Sequence, residues 1–94
     1  MTYHFDLSRI DSTVRDALGC LTGRSPGAIS PRHRLEEDYL LDPLGLGALA
    51  EELNAAFIRL GAPLTDELRG TEVATAADVA GLVTLVTGRV AGGL

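Results

Sequence analysis

The sequence has no lysine, no tryptophan and a single cysteine among its 94 residues. One cysteine cannot form a disulfide within the chain, so the fold does not depend on an oxidising compartment. One cysteine and two histidines also cannot complete a structural zinc site unless carboxylates or a second chain supply ligands. We therefore expect neither a disulfide framework nor a metal centre.

Aromatic residues and long apolar runs are also scarce. With two Phe and two Tyr, the core must be built from aliphatic side chains. A chain of this length forms one domain, residues 1–94, with a single core. No window approaches the roughly 20 apolar residues of a membrane span. No long apolar run follows a basic start, as it would in a signal peptide, so we expect a cytoplasmic protein.

Positive charge is limited to eight Arg, against 13 acidic residues, which gives a formal net charge of −5. Nucleic acids and anionic membranes are bound by clustered basic residues, whereas these Arg are scattered along the chain. The composition predicts neither nucleic acid nor membrane as a partner. It is compatible with a basic protein partner.

The longest predicted helix covers residues 43–60, where apolar residues recur at three- and four-residue steps. Asp42 is a favourable N-cap, and Pro43 fits the first helical position because no intrahelical donor is needed there. The predicted core face of this helix consists of Leu46, Leu49, Ala50, Leu53, Ala56, Phe57 and Leu60.

Three further helices are predicted from similar patterns. The first covers residues 8–22, with Ser8 as N-cap. A short helix at 65–71 is capped by Thr65, and the last helix covers 76–90 and is capped by Thr75. The fold class is therefore all-α, a small four-helix bundle with three longer helices and a short one. We expect the first seven residues to form an arm on the bundle or a frayed end, and residues 91–94 to be frayed.

The long connection at residues 23–42 requires pinning, because structureless loops of this length are uncommon in small domains. The expected pins are Ile29, Leu35, Tyr39, Leu40 and Leu41. We expect Cys20, at the edge of the apolar stripe of the first helix, to be half-buried.

The sequence carries no recognisable catalytic motif. Gly45 and Gly47 follow no strand and do not form a phosphate-binding loop. No Ser, His and Asp set stands at a known spacing. Glu51 and Glu52 are adjacent, so they point about 100° apart on a helix and do not form a catalytic pair. We therefore expect that the protein is not an enzyme.

The first turn of the predicted helix 43–60 has an unusual surface. Leu44 lies off the core face, and Gly45 and Gly47 stand beside it, so another backbone or an apolar chain could approach closely. Leu40 and Leu41 precede it. The alternative is that these leucines pin the long loop.

The stretch from Ile29 to Phe57 resembles an acyl carrier protein. The typical run of that family is Ile-Thr-Pro, a hydrophobic residue, Glu-Asp-Leu, Asp-Ser-Leu at the start of the second helix, and then Leu, Leu and Phe on its core face. The matching residues, which fall in step without a gap, are Ile29-Ser30-Pro31, Leu35, Glu37-Asp38-Tyr39, Asp42-Pro43-Leu44, Leu49, Leu53 and Phe57. The resemblance implies an acyl-carrier-protein-like helical bundle that works in fatty-acid, polyketide or nonribosomal-peptide type biosynthesis.

Pro43 is the decisive departure from the family pattern. In the family, the Ser of Asp-Ser-Leu carries a phosphopantetheine arm on its hydroxyl, and Pro43 has none. The resemblance therefore implies a carrier-like protein with no cofactor. It also implies an acidic surface on the second helix that binds basic patches on synthase-type enzymes. Gly45 and Gly47 stand where side chains of that surface would project, so fewer side chains are available there. The partner-binding residues that we predict are Glu37, Asp38, Leu41, Asp42, Leu44, Leu46, Glu51 and Glu52.

Two alternatives to this carrier-like binding protein stay open from the sequence. One is a working carrier that is modified at another Ser or Thr. The other is an unrelated helical interaction module that presents Leu40, Leu41, Leu44 and Leu46 to a partner. The protein is expected to be a monomer or to self-associate weakly.

Overall fold

The fold was analysed in a computed structural model, which describes residues 7–90. The described chain contains helices and no strands, so the predicted all-α class is confirmed. The expectations for residues 1–6 and 91–94 lie outside the described residues. The elements are α1 (Leu7–Thr22), a 3₁₀ turn (Pro26–Ala28), α2 (Pro43–Arg59), α3 (Gly70–Val73) and α4 (Val79–Thr87).

Helix α1 packs against both α2 and α4, and α3 packs against α2. One hydrophobic cluster joins all four helices and the long connection. It is aliphatic except for Phe57 and Tyr39, as the shortage of aromatic residues predicted. None of the helices in residues 7–90 combines the length and apolar character that crossing a membrane requires.

Helix α2 begins as predicted. Asp42 is extended, and its Oδ1 accepts a hydrogen bond of 2.7 Å from the backbone N–H of Gly45. Pro43 occupies the first helical position. The predicted core face is buried from Leu46 to Phe57. Leu60 is the exception: it lies just past the end of the helix and is 36% exposed.

The predicted starts of the first and last helices need correction. Helix α1 begins at Leu7, so Ser8 lies inside the helix and is not its cap. Helix α4 begins at Val79, and its cap is Asp78 in place of Thr75. Oδ1 of Asp78 accepts from the backbone N–H of Gly81 at 2.8 Å.

The short helix predicted at 65–71 is displaced to Gly70–Val73. The side chain of Asn54 on α2 holds the backbone of Leu68 through two hydrogen bonds, of 2.8 and 3.0 Å. The backbone N–H of Thr65 donates instead to the carbonyl of Arg89 at 2.7 Å. These bonds keep the segment before Gly70 out of a helix. Helix α4 ends at Thr87 rather than at the predicted residue 90, and the carbonyl of Arg89 beyond it accepts the bond from Thr65.

The long connection is pinned to the core, as expected. Ile29, Leu35 and Tyr39 are buried, and Leu41 is partly buried against the core. The prediction for Leu40 was wrong, because its side chain is 82% exposed.

The connection also completes the start of α4. The carbonyl of Pro31 accepts from the backbone N–H of Ala80, and the carbonyl of His33 accepts from that of Val79, both at 2.9 Å. The first N–H groups of a helix have no partner within the helix. The loop supplies two such partners, so its path and the position of α4 depend on each other.

Gly70 lets α3 approach the backbone of α2 at Gly47 closely. A Cβ atom added at Gly70 would lie 2.8 Å from the backbone nitrogen of Gly47 and 2.9 Å from its Cα. A Cβ atom added at Gly47 would meet nothing within 4 Å. The approach therefore requires glycine at 70, on α3, and not at 47.

Replacing these two glycines by alanine is expected to have opposite effects on the free energy of unfolding. Gly70→Ala should lower it by about 1–3 kcal/mol, because the added methyl group meets backbone that cannot rotate away. Gly47→Ala, the matched control, should raise it by up to about 1 kcal/mol through helix propensity. Urea unfolding of both variants measures the difference. A loss for Gly47→Ala as large as that for Gly70→Ala would contradict this packing.

Candidate functional site

The candidate site is the entrance of α2, formed by residues 36–47, where the sequence placed most of its predicted partner-binding residues. The backbone N–H of Leu46 donates to the carbonyl of Asp42 at 2.8 Å, which closes the first helical turn. Pro43 is exposed on this turn. The residue that matches the arm-bearing serine of the carrier family is thus accessible, but it offers only a ring carbon and no nucleophilic oxygen.

The backbone turns sharply just before this entrance. Leu40 has a φ of 55°, in the left-handed region that non-glycine residues seldom adopt. For a residue with a Cβ atom this conformation costs roughly 1–2 kcal/mol. The backbone N–H of Leu41 donates to the carbonyl of Leu35 at 3.3 Å and closes the turn. As a result Leu40 projects into solvent while Leu41 packs against the core.

Leu44 is as exposed as Leu40. Its side chain is 84% exposed, which agrees with its predicted position off the core face. Gly45, beside it, is in a tight environment, because an added Cβ would lie 3.1 Å from Cδ2 of Leu41. Leu41 therefore supports the turn from inside, and Leu40 and Leu44 remain on the surface.

The acidic residues of the site are exposed but partly engaged within the chain. The guanidinium of Arg34 pairs with Glu37 at 3.1 Å, and the backbone N–H of Arg34 donates to Oδ2 of Asp38 at 2.6 Å. Asp42 caps α2, as described above. An exposed ion pair such as that between Arg34 and Glu37 contributes about 0–1 kcal/mol, so a partner can compete for the carboxylate of Glu37.

Two of the predicted partner-binding residues, Leu46 and Leu41, pack toward the core, and the others reach the surface. Leu46 is 4% exposed and belongs to the core, so its prediction as a binding residue was wrong. It lies one turn before Ala50 on the buried face of α2, which leaves no side to a partner. Leu41 is partly buried and packs against the core, so little of its side chain is left for a partner. The predicted residues that are exposed at the surface are Glu37, Asp38, Asp42, Leu44 and Glu51, and Glu52 is partly exposed, with its carboxylate 3.1 Å from the guanidinium of Arg59.

Tyr39, just before the site, is held to the loop by contacts with His33 that the sequence did not predict. We call these contacts the tether. The hydroxyl of Tyr39 lies 2.6 Å from Nδ1 of His33, and the backbone N–H of Ser30 donates to the same nitrogen at 3.2 Å. The guanidinium carbon of Arg24 lies 4.9 Å from the centre of the Tyr39 ring. Burial raises the pKa of Tyr39 above its ordinary value. No periodic signal in the sequence marks such contacts.

Two other concave regions have different characters. A cleft of about 460 Å³ is lined by the segment before α3, by α3 and by Arg89 just past α4, and the side chains of Glu72 and Arg89 pair at it. The hydrogen bond from Arg89 lowers the pKa of Glu72. A groove between α1 and α2 contains Cys20, which is exposed and not half-buried as expected.

Residues 7–90 contain no group of three or more His, Cys, Asp or Glu suited to a metal ion.

Comparisons with protein-family models, with curated proteins and with solved structures give no match to this chain.

The start of α2 is expected to depend on Asp42 more than on Pro43. Asp42→Ala should lower the free energy of unfolding by about 1 kcal/mol, because the N–H of Gly45 loses its acceptor. Pro43→Ser keeps that cap and should lower it by no more than about 0.4–1 kcal/mol, through the greater freedom of the unfolded chain. Thermal and urea unfolding of the two variants measure both changes. Equal stability of Asp42→Ala and the parent protein would contradict the capping role.

Proposed function

We propose that this protein is an acyl-carrier-protein-like binding protein that carries no phosphopantetheine arm. It works in the cytoplasm beside a synthase-type enzyme of fatty-acid, polyketide or nonribosomal-peptide type biosynthesis. The observation on which this proposal rests is the position of Pro43: it is exposed, it is the first residue of α2, and it directly follows the capping Asp42. A carrier would need an alcohol at this place.

The arrangement around Pro43 supports the carrier-like interpretation. Leu49, Leu53 and Phe57, which match the core positions of the family pattern, are each fully buried. The long connection before α2 is tethered to the core and to α4, so it presents the entrance of α2 in a fixed position. These features are those of an all-α domain built to hold one exposed helix start.

The remaining hydroxyls of the loop do not replace the missing serine. Ser30 is partly buried, and its Oγ accepts from the backbone N–H of Arg32 at 3.2 Å. Ser25 is exposed, but it precedes the 3₁₀ turn and lies far along the chain from Asp42. The two loop serines therefore favour a protein that acts by contact with other proteins over one that carries a covalently bound acyl group.

Restoring the alcohol should restore loading. The parent protein and Pro43→Ser are each incubated with coenzyme A and a broad-specificity phosphopantetheinyl transferase, and their intact masses are measured. We expect no change for the parent and a gain of one arm for Pro43→Ser, mapped to position 43. Pro63→Ser, which introduces a serine at another exposed proline, is the matched control and should not be loaded.

Two results would contradict the proposal. A mass gain of one arm on the parent protein would show that another residue is modified and that the protein is a working carrier. No gain on Pro43→Ser, with the variant folded, would show that the entrance of α2 is not a carrier-type surface. In that case an unrelated helical interaction module would be favoured.

A further inference from the structure

We propose that the imidazole of His33 is a pH-sensitive switch that holds the loop before α2 and the start of α4 when it is neutral and releases them when it is protonated. This inference concerns how the fold is regulated and does not depend on the proposed function. The observation that carries it is the arrangement of hydrogen-bond donors around one ring nitrogen of His33.

Two donors converge on Nδ1 of His33. The backbone N–H of Ser30 donates to this nitrogen at 3.2 Å, and the hydroxyl of Tyr39 lies 2.6 Å from it. A backbone N–H can only donate, so Nδ1 must present its lone pair, and the neutral ring carries its proton on Nε2. In a protonated imidazole both ring nitrogens are donors. Protonation of His33 therefore removes the acceptor of Ser30 and turns two N–H groups toward each other.

The backbone of the same loop holds the start of α4. The carbonyl of His33 accepts from the backbone N–H of Val79, and the carbonyl of Pro31 accepts from that of Ala80. The backbone N–H of His33 donates to the carbonyl of Ser30 at 3.1 Å, so the bond to Nδ1 and this bond close one turn. Opening of that turn moves the two carbonyls on which α4 depends.

The charges around the tether oppose a further positive charge. The guanidinium carbon of Arg24 lies 4.9 Å from the centre of the Tyr39 ring, which is 5.5 Å from the centre of the His33 ring. The charged groups on the elements around the tether are Arg15 on α1, Arg24, Arg32, Arg34, Glu37 and Asp38 in the long connection, and Asp78 at the start of α4. The three carboxylates are engaged, because Glu37 pairs with Arg34 and both aspartates accept from backbone N–H groups. A protonated imidazole therefore gains no free carboxylate as a partner among these groups.

The sign of the pH dependence follows from the protons that each state binds. The free energy of unfolding rises with pH wherever the unfolded chain binds more protons than the folded chain. The imidazole of an unfolded chain becomes protonated below about pH 6.5, whereas the folded tether requires it to be neutral. The contribution of the tether is therefore present above about pH 6.5 and is lost as the pH falls below that value. Carboxylates ordinarily titrate near pH 4, so the interval from about pH 7.5 to about pH 5.5 isolates the histidines.

The test is amide hydrogen exchange of the full chain at these two pH values, with each protection factor corrected for the intrinsic exchange rate. We expect the protection of the Val79 and Ala80 amides to fall about fivefold or more at the lower pH, as the loss of one ordinary hydrogen bond would cause. His33→Asn keeps an acceptor in its side-chain carbonyl and does not titrate, so its protection factors should be the same at both pH values. His4→Asn, which changes the other histidine of the sequence, is the matched control and should behave as the parent does.

Urea unfolding at the same two pH values is a second measurement. The midpoint of the parent and of His4→Asn should be lower by roughly 0.5–1 M urea at the lower pH. His33→Ala removes the acceptor at either pH, so its midpoint should be low at both values and should not change between them. The inference is overturned if the parent has the same midpoint and protection factors at both pH values. It is also overturned if His33→Asn or His33→Ala responds to pH as strongly as the parent, or if His4→Asn abolishes the response.

Discussion

The turn at residues 39–42 is the constraint on which the rest of the structure depends. Tyr39 is buried in the core and Leu41 packs against it, and Leu40 between them is turned outward in a left-handed conformation. Asp42 then caps α2, which supplies the central apolar face of the core. A single short segment thus fixes the end of the long connection, the start of α2 and the exposure of the entrance.

The contacts that hold this turn and the loop before it also bear on the proposed function. The tether between Tyr39 and His33 and the bonds from the loop carbonyls to α4 hold the entrance of α2 without help from the residue at position 43. We therefore expect the fold to tolerate proline or serine at that position, because the capping bond is made by Asp42. Under the proposed function, the absence of an arm at this position would be a difference in chemistry and not in architecture.

Much of this fold could be predicted from the sequence, because periodic burial leaves a periodic pattern. Helix α2, its cap and the buried pins Ile29, Leu35 and Tyr39 were predicted on that basis and are confirmed. The position of α3 could not be predicted, because it depends on the bonds from Asn54 to the backbone of Leu68, which join distant parts of the chain. The prediction of Leu40 as a pin failed for a similar reason: its exposure depends on how Tyr39 and Leu41 pack on either side of it, whereas leucine itself favours burial.

We propose that the entrance of α2 has the form of a carrier site but lacks the group that would be loaded. The most direct measurement is the intact mass of the protein after co-expression with an active phosphopantetheinyl transferase, with Pro43→Ser expressed in parallel. The account predicts the mass of the unmodified chain for the parent and that mass plus one arm for the variant. An arm on the parent, or none on the folded variant, would contradict it.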